Sequence, residues 1–311
     1  MGGSGGGYFK SESPEKIRDA LREEEQTTEN QIFETEVSSD LADLLDDYNN
    51  RDVEGVRRAI EEVKRALENE VEDLTISPIF GGSVRKHTYV DGVSDIDSLL
   101  VLKGEGAGSL NPAQALDFFE ATVRDHLPNA EVERDRMSVT IHRDGLTLQI
   151  LPAIRRHGEL FIPSSSTDSW SKIRPEAFIG KLTEVNDGNG GKVVPTIKIV
   201  KGMNDSFPEN QRLSGYHVES LAIEAFKNYQ GPRNTKAMVE HFVGFAADRV
   251  LSPIRDKTGQ SVHVDGYAGA KDSDRRRLMA QNLDRVWRKM KNANATHSRD
   301  KWRGLLNQVN Q

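Results

Sequence analysis

Two aspartates and a glycine-serine turn are the residues best placed to do chemistry together. Asp95-Ile96-Asp97 opens the run Ser98 to Leu102, which reads as a strand. Alternation along a strand sends positions 95 and 97 to one face, with Ile96 and Ser98 on the other. Two carboxylates held so close repel each other unless a cation sits between them. A divalent metal there could bridge a polyphosphate and activate a hydroxyl. Upstream, Phe80-Gly81-Gly82-Ser83 follows a short apolar run. Glycines let the backbone approach an anion without a Cβ clash. Ser83, or the first amides of a helix starting there, can donate to phosphate oxygens. An Asp-x-Asp pair alone is common on surfaces, and so is a glycine turn with an N-cap serine. Their combination, a phosphate-holding turn ahead of a metal-holding strand, is what phosphoryl transfer requires.

Those residues need a sheet to carry them, and the texture of the chain supplies one. Residues 13–28 have helical composition, with Ser13-Pro14-Glu15 as a start signal, and residues 37–50 read as a second helix capped by Ser38 or Ser39,. Over 52–73, Val53, Val56, Ile60, Val63, Leu67 and Val71 recur at helical spacing and form one apolar stripe,. Ile76 to Phe80 is a short apolar run. Thr88-Tyr89-Val90 and Ile96 to Leu102 read as a strand pair turned by Asp91-Gly92,. Residues 112–126 are helical in pattern. Met137 to His142 and Leu146 to Leu151 alternate as strands around Asp144-Gly145. After Pro152 the pattern is mostly helical, over 193–205, 216–229, 233–251 and 272–292. The expected organisation is a Gly-rich flexible tail at 1–12, a sheet-bearing lobe with N-terminal helices at 13–155, and a helical lobe at 156–311. The stretches 153–192 and 252–272 read as loops without a decisive motif.

Composition narrows the classes. Hydrophobic residues make up 36% and charged residues 29% of the 311 residues, a globular balance,. No apolar run approaches the length needed to cross a bilayer, and the Gly/Ser-rich start has no apolar core, so neither a membrane span nor a secretory signal is expected. The absence of cysteine excludes disulfides and thiolate metal sites and suits a cytoplasmic protein,. Metal ligands must then be oxygen or imidazole, which favours magnesium, manganese or calcium at carboxylates. A net charge of −7 argues against a dedicated duplex-DNA binder,. The charge is uneven, with an acidic first quarter and a basic stretch from Lys271 to Arg303. That stretch is either a solvated helix face or a surface for phosphates or a nucleic-acid activator. The histidines, including His87, His142, His217 and His263, lack helical metal-ligand spacing and read as ordinary residues. Trp170, Trp287 and Trp302 read as packing.

Gly82-Ser83, Asp95-Ile96-Asp97 and the later strand end Ile150-Leu151-Pro152-Ala153 resemble the polymerase-beta-type nucleotidyltransferases. Within them the chain is most similar to the branch containing cyclic GMP-AMP synthase, oligoadenylate synthase and the bacterial antiphage oligonucleotide cyclases. Ile197-Lys198-Ile199-Val200-Lys201 and Leu213-Ser214-Gly215-Tyr216-His217-Val218-Glu219 resemble that branch's lysine-bearing helix and Ser-x-Tyr segment. The resemblance spans roughly residues 37–290. It implies a bilobed α+β fold: a mixed-sheet lobe with a long N-terminal spine helix, a C-terminal helical lobe, and the active site in the cleft between them. It implies magnesium, or manganese, on Asp95 and Asp97. It implies a donor triphosphate on Ser83 and the Gly81-Gly82 backbone, phosphate contacts from Lys201 and Ser214, and a base stacked on Tyr216. Read from the residues alone, Lys201 is a polar helix position and Tyr216 an aromatic core residue.

One position departs from the family pattern. The third carboxylate expected shortly before the Leu-Pro strand end is here Gln149, in Leu148-Gln149-Ile150-Leu151-Pro152. An amide oxygen can touch a metal but brings no charge and accepts no proton as a base. Three readings stay open. The enzyme works with two carboxylates and a neutral ligand. Another acid, Asp144, Glu131 or Glu133, substitutes. Or the chain is a weakly catalytic nucleotide sensor. The expected activity is a synthesis of cyclic or linear oligonucleotide signals from nucleoside triphosphates in antiphage defence, with a nucleic-acid or protein activator or effector as a further partner. The alternative within the fold is extension of a nucleic-acid or protein-linked primer, for which Tyr8 in the tail offers a hydroxyl.

Overall fold

The computed structural model describes residues 14–49, 53–70, 75–80, 86–88, 90, 96–103, 110–164, 168–255 and 264–306. Helix α1 runs Pro14–Asn49 and α2 runs Val53–Glu70. The strands are β1 (Thr75–Phe80), β2 (Ile96–Lys103), β3 (Glu131–Arg134), β4 (Val139–Arg143), β5 (Leu146–Arg156), β6 (Glu159–Pro163) and β7 (Trp170–Ile173), with α3 (Pro112–His126) between β2 and β3. Helices α4 (Pro175–Gly188), α5 (Val193–Asp205), α6 (Gly215–Phe226), α7 (Thr235–Arg249), α8 (Asp274–Ala295) and α9 (Arg299–Leu306) complete the chain.

The sheet is mixed. Its order is β1-β2-β5-β4-β3, with β6 on the far half of β5 and β7 beyond β6. Only β2 and β5 are parallel among these pairs; the others are antiparallel. Of the apolar stripe read over 52–73, the part from Val56 to Leu67 does its expected work, while Val71 lies outside the described residues. Val56, Ile60, Val63 and Leu67 of α2 pack with Ala115, Leu116, Phe119 and Val123 of α3 against Leu100, Leu102, Leu148 and Ile150 of the central strands. Asn111 caps α3 in a capping box with Gln114, and Pro112 fits its first turn,. The opposite face carries the smaller cluster of Leu99, Val101, Ala153, Leu160 and Ile173. A separate helical core runs from Phe33, Val37 and Leu41 of α1 through α4 to α8 and on to Trp302 and Leu306 of α9.

Three expectations change. The two N-terminal helices are one, because no glycine or proline interrupts residues 15–49. Thr27, Thr28 and Thr35 return their hydroxyls to the carbonyls of Glu23, Glu24 and Gln31 instead of breaking the helix,. The partner of β2 is β1, in register Phe80 with Ser98, and not Thr88 to Val90. Thr88 and Val90 are fully buried outside any strand, and Val90 packs into the helical core. Tyr89 and the Asp91-Gly92 turn lie outside the described residues. Finally, β5 runs through Pro152 to Arg156, and β6, β7 and α4 occupy much of the stretch read as loop. The missed signal is His157-Gly158, which turns β5 into β6 with both φ values positive, as Asp144-Gly145 does between β4 and β5,.

The charge asymmetry of the sequence is partly internal. Asp40 of α1 receives Arg299 at 2.9 Å and Arg303 at 3.0 Å from α9. These guanidiniums, Arg299 foremost, hold the Asp40 carboxyl down at about 2. Arg276 of the basic run is fully buried against Asp265 at 2.8 Å. Along the exposed side of α8, Arg288 pairs with Asp284 at 2.8 Å.

Phe119 is fully buried between α2 and the sheet. Phe119→Ala is expected to destabilise the fold by about 3–5 kcal/mol, read as a lower urea midpoint with an unchanged slope.

Candidate functional site

The sheet brings together the strand segments that carry the predicted motifs. Gly81, Gly82, Ser83 and Asp95 lie outside the described residues, as does the side chain of Asp97. Their neighbours do not. Phe80, the last residue of β1, pairs with Ser98 of β2, so the chain leaves β1 for the glycine turn at the end of the sheet where β2 begins. At that same end Asp97 is in parallel register with Gln149 of β5, which in turn faces Thr140 of β4. Ser98 is fully buried with Leu100 and Leu102 on the α2–α3 side, as strand alternation requires. Gln149 is partly exposed, and its neighbours Leu148 and Ile150 are buried in the α2–α3 core. Position 149 therefore stands beside position 97, with an amide where the resemblance expects a carboxylate. Asp144 sits in the β4–β5 turn just ahead of β5, five residues before Gln149 in the chain, and Glu131 and Glu133 lie two strands away on β3.

The helical core presents the other predicted residues. Lys201 of α5 is almost wholly buried. Its Nζ donates to Glu219 Oε1 at 2.9 Å, to the Thr88 carbonyl at 3.0 Å and to Thr88 Oγ1 at 3.3 Å. Lys86 Nζ donates to the other oxygen, Glu219 Oε2, and the Thr88 hydroxyl donates to Oε1. Burial alone would raise the Glu219 carboxyl, but Lys201 and Lys86, with the hydrogen bonds from Lys86 and Thr88, outweigh it and hold it at about 2. Glu219 is thus a buried carboxylate serving two ammonium groups. Both Lys86 and Thr88 belong to the connection between β1 and β2, so this cluster ties that connection to α5 and α6.

Ser214 is the N-cap of α6, its hydroxyl accepting from the His217 amide at 3.2 Å,. Its own amide donates to Tyr267 Oη at 2.8 Å. Tyr216, two residues along, is half-buried and lies 4.8 Å from the Phe178 ring, with Lys86 Nζ 5.4 Å from its centroid. His217 is fully buried: Nδ1 is 2.8 Å from Tyr267 Oη, and Nε2 is 3.8 Å from Asp265 and makes no hydrogen bond among the described residues. Burial pushes His217 down to about 4, against the pull of Asp265 and with help from Arg276 and Arg249. The structure thus brings Lys201, Ser214 and Tyr216 together around the start of α6, and separately pairs positions 97 and 149 in the sheet.

Lys86, Thr88 and Glu219 were not singled out from the sequence. A signal for Glu219 existed: α6 is apolar on almost every face, so a carboxylate within it has to be buried and paired,. Nothing local to Lys86 marked it as that partner.

Comparison with known proteins agrees with the resemblance. Residues 35–186 match the family model of the Second Messenger Oligonucleotide or Dinucleotide Synthetase domain. A probable cyclic nucleotide synthase of Bacillus cereus is 23% identical over 184 residues, covering 47% of this chain and 55% of that protein. The chain therefore spans about half the length of that curated relative. Among solved structures, Escherichia coli DncV in its 3′-deoxy GTP bound form superposes with a TM-score of 0.63 at 14% identity, over 96% of this chain and 90% of that one. E. coli MS115-1 CdnC with ATP gives 0.59 at 14% identity, over 81% and 90%. The mixed sheet with its surrounding helices is the fold shared with these structures.

His217 carries a pH signature. Its folded pKa lies below the ordinary value of 6.5, so between about 6.5 and about 4 the unfolded chain binds the extra proton,. Its contribution to stability is full above 6.5 and is lost as pH falls toward 4. Urea unfolding of wild type and His217→Asn across pH 7 to 4 should show the variant with the shallower decline; parallel curves would refute the assignment.

Proposed function

We propose that this chain, whose residues 35–186 match the model of the Second Messenger Oligonucleotide or Dinucleotide Synthetase domain, is a nucleotidyltransferase that joins nucleoside triphosphates by phosphodiester bonds into a cyclic or linear oligonucleotide. The observation that carries this reading is the parallel register of Asp97 with Gln149, at the end of the sheet where β1 gives way to Gly81-Gly82-Ser83.

In this reading a 2′- or 3′-hydroxyl attacks an α-phosphate in line, the new P–O bond forms as the bond to pyrophosphate breaks, and the hydroxyl proton passes to solvent. Asp95 and Asp97 hold magnesium or manganese, with the Gln149 amide oxygen as a neutral third donor. An all-oxygen set of this kind fits a hard cation. When bound, the ion supplies charge neutralisation and a more acidic hydroxyl. Ser83 and the Gly81-Gly82 amides take the donor triphosphate. Lys201 turns from Glu219 toward phosphate, Ser214 offers its hydroxyl, and Tyr216 stacks on a base, a contact every base can make. In this reading a cytoplasmic setting, a role in antiphage defence and a nucleic-acid or protein activator or effector rest on the resemblance. Among the described residues no helix is long and apolar enough to cross a membrane.

Gln149 also favours a second reading, in which the site binds nucleotide and turns over weakly or not at all. Incubation of the purified chain with labelled triphosphates and magnesium or manganese separates the two. A phosphodiester-linked product of defined mass is expected, falling about 10²-fold or more in Asp97→Asn and rising in Gln149→Asp. Calorimetric triphosphate binding with no product, unchanged by Gln149→Asp, would establish the sensor instead. Product attached to the protein itself would identify a primer-extending enzyme.

A further inference from the structure

Lys86 is an uncommon lysine. It is 8% exposed, and its ammonium sits against Glu219 Oε2, 5.0 Å from the centre of the Phe178 ring and 5.4 Å from that of Tyr216. Phe178 and Tyr216 lie against each other at 4.8 Å with a tilt of 50°. Burying an ammonium in this way costs desolvation and side-chain freedom, and an apolar side chain of similar size would serve stability as well or better. What an apolar side chain could not do is fix two directions at once. The charge–carboxylate contact pins Lys86 to α6, the helix that bears Tyr216. The cation–ring contacts orient the two aromatic planes. Thr88 repeats the attachment, with its hydroxyl on Glu219 and its carbonyl on Lys201.

We infer that Lys86, held by Glu219, is a positioning residue: it sets the Tyr216 ring on α6, so that the base of a bound nucleotide meets that ring in a fixed place. This rests on the function proposed above. Lys86 touches neither reacting atom. Its effect belongs to nucleotide binding, which is the same in the ground and transition states, and so appears in KM more than in kcat.

The test uses the full chain with magnesium and triphosphate. Lys86→Met is expected to keep a cooperative melt, raise KM about tenfold, equivalent to about 1.4 kcal/mol, and lower kcat by less than about threefold. Lys86→Arg, which keeps charge and ring contact, is expected to restore KM. Because Lys86 acts through Tyr216, adding Tyr216→Leu to Lys86→Met should raise KM much less than Tyr216→Leu does alone. Wild-type KM in Lys86→Met, or full additivity with Tyr216→Leu, overturns the inference. If Lys86→Met does not fold, Lys86→Gln, which keeps a donor to Glu219 without the charge, is read in the same way. If wild type makes no product, the proposed activity fails on its own. Calorimetry with a non-hydrolysable triphosphate then replaces KM: about tenfold weaker binding in Lys86→Met supports the positioning role, and equal affinity overturns it.

Discussion

The parallel pairing of β2 with β5 is the interaction on which the arrangement depends. A parallel neighbour cannot be reached by a tight turn, so the chain must cross over before it returns. Here it does so through α3 and then β3 and β4, and β5 enters the sheet beside β2 with Asp97 opposite Gln149. The crossover also supplies the cover. α3 and α2 close one face of the central strands, and the alternation of Ser98, Leu100 and Leu102 toward that face leaves the other face for different use. Slipping the pair by one residue would exchange the two faces along the whole strand, so the apolar core fixes the neighbour of position 97 as firmly as any local contact does.

Local patterns were legible where a single element decides its own fate. The stripe on α2, the capping box of α3 and the Asp144-Gly145 hairpin could be read because spacing, cap and turn are properties of a few adjacent residues. The helices at 193–205 and 274–295 were readable for the same reason. Illegible elements were those settled by distant partners. Thr88 to Val90 has strand composition, yet Thr88 gives its hydroxyl to Glu219 and its carbonyl to Lys201, more than a hundred residues away in sequence. Nor does anything local to α1 say that Phe33 and Leu41 share a core with residues beyond 290.

The candidate site divides along the same line. The Asp pair and the Gly-Ser turn could be picked out because residue type and spacing carry the chemistry, whereas Lys201, Ser214 and Tyr216 were marked only by the resemblance. The order in which the sheet sets Asp97 beside Gln149 was implied only by resemblance until the register was seen. Lys86 could not be found by type, since a lysine is ordinarily a surface residue, and Glu219 was marked only by the apolar helix around it. Their burial, and the choice of each other as partners, is written in packing. The buried Arg276–Asp265 pair beside His217 has the same character.

The two cores differ in how far along the chain they reach, and that difference governs when each can form. The α2–α3 sheet core draws on residues from Val56 to Ile154. The helical core cannot close without Phe33 at one end and Leu306 at the other, and Asp40 meets Arg299 and Arg303 only when α9 exists. During synthesis the sheet can condense while the C-terminal third is still being made, and the acidic α1 must wait with its apolar stripe unpaired. The connection bearing Lys86 and Thr88 waits as well, because Lys201 and Glu219 arrive later. The sheet framework around positions 97 and 149 therefore precedes the contacts of Lys86 and Thr88 with α5 and α6, and the arrival of α9 is the step that seals the helical core.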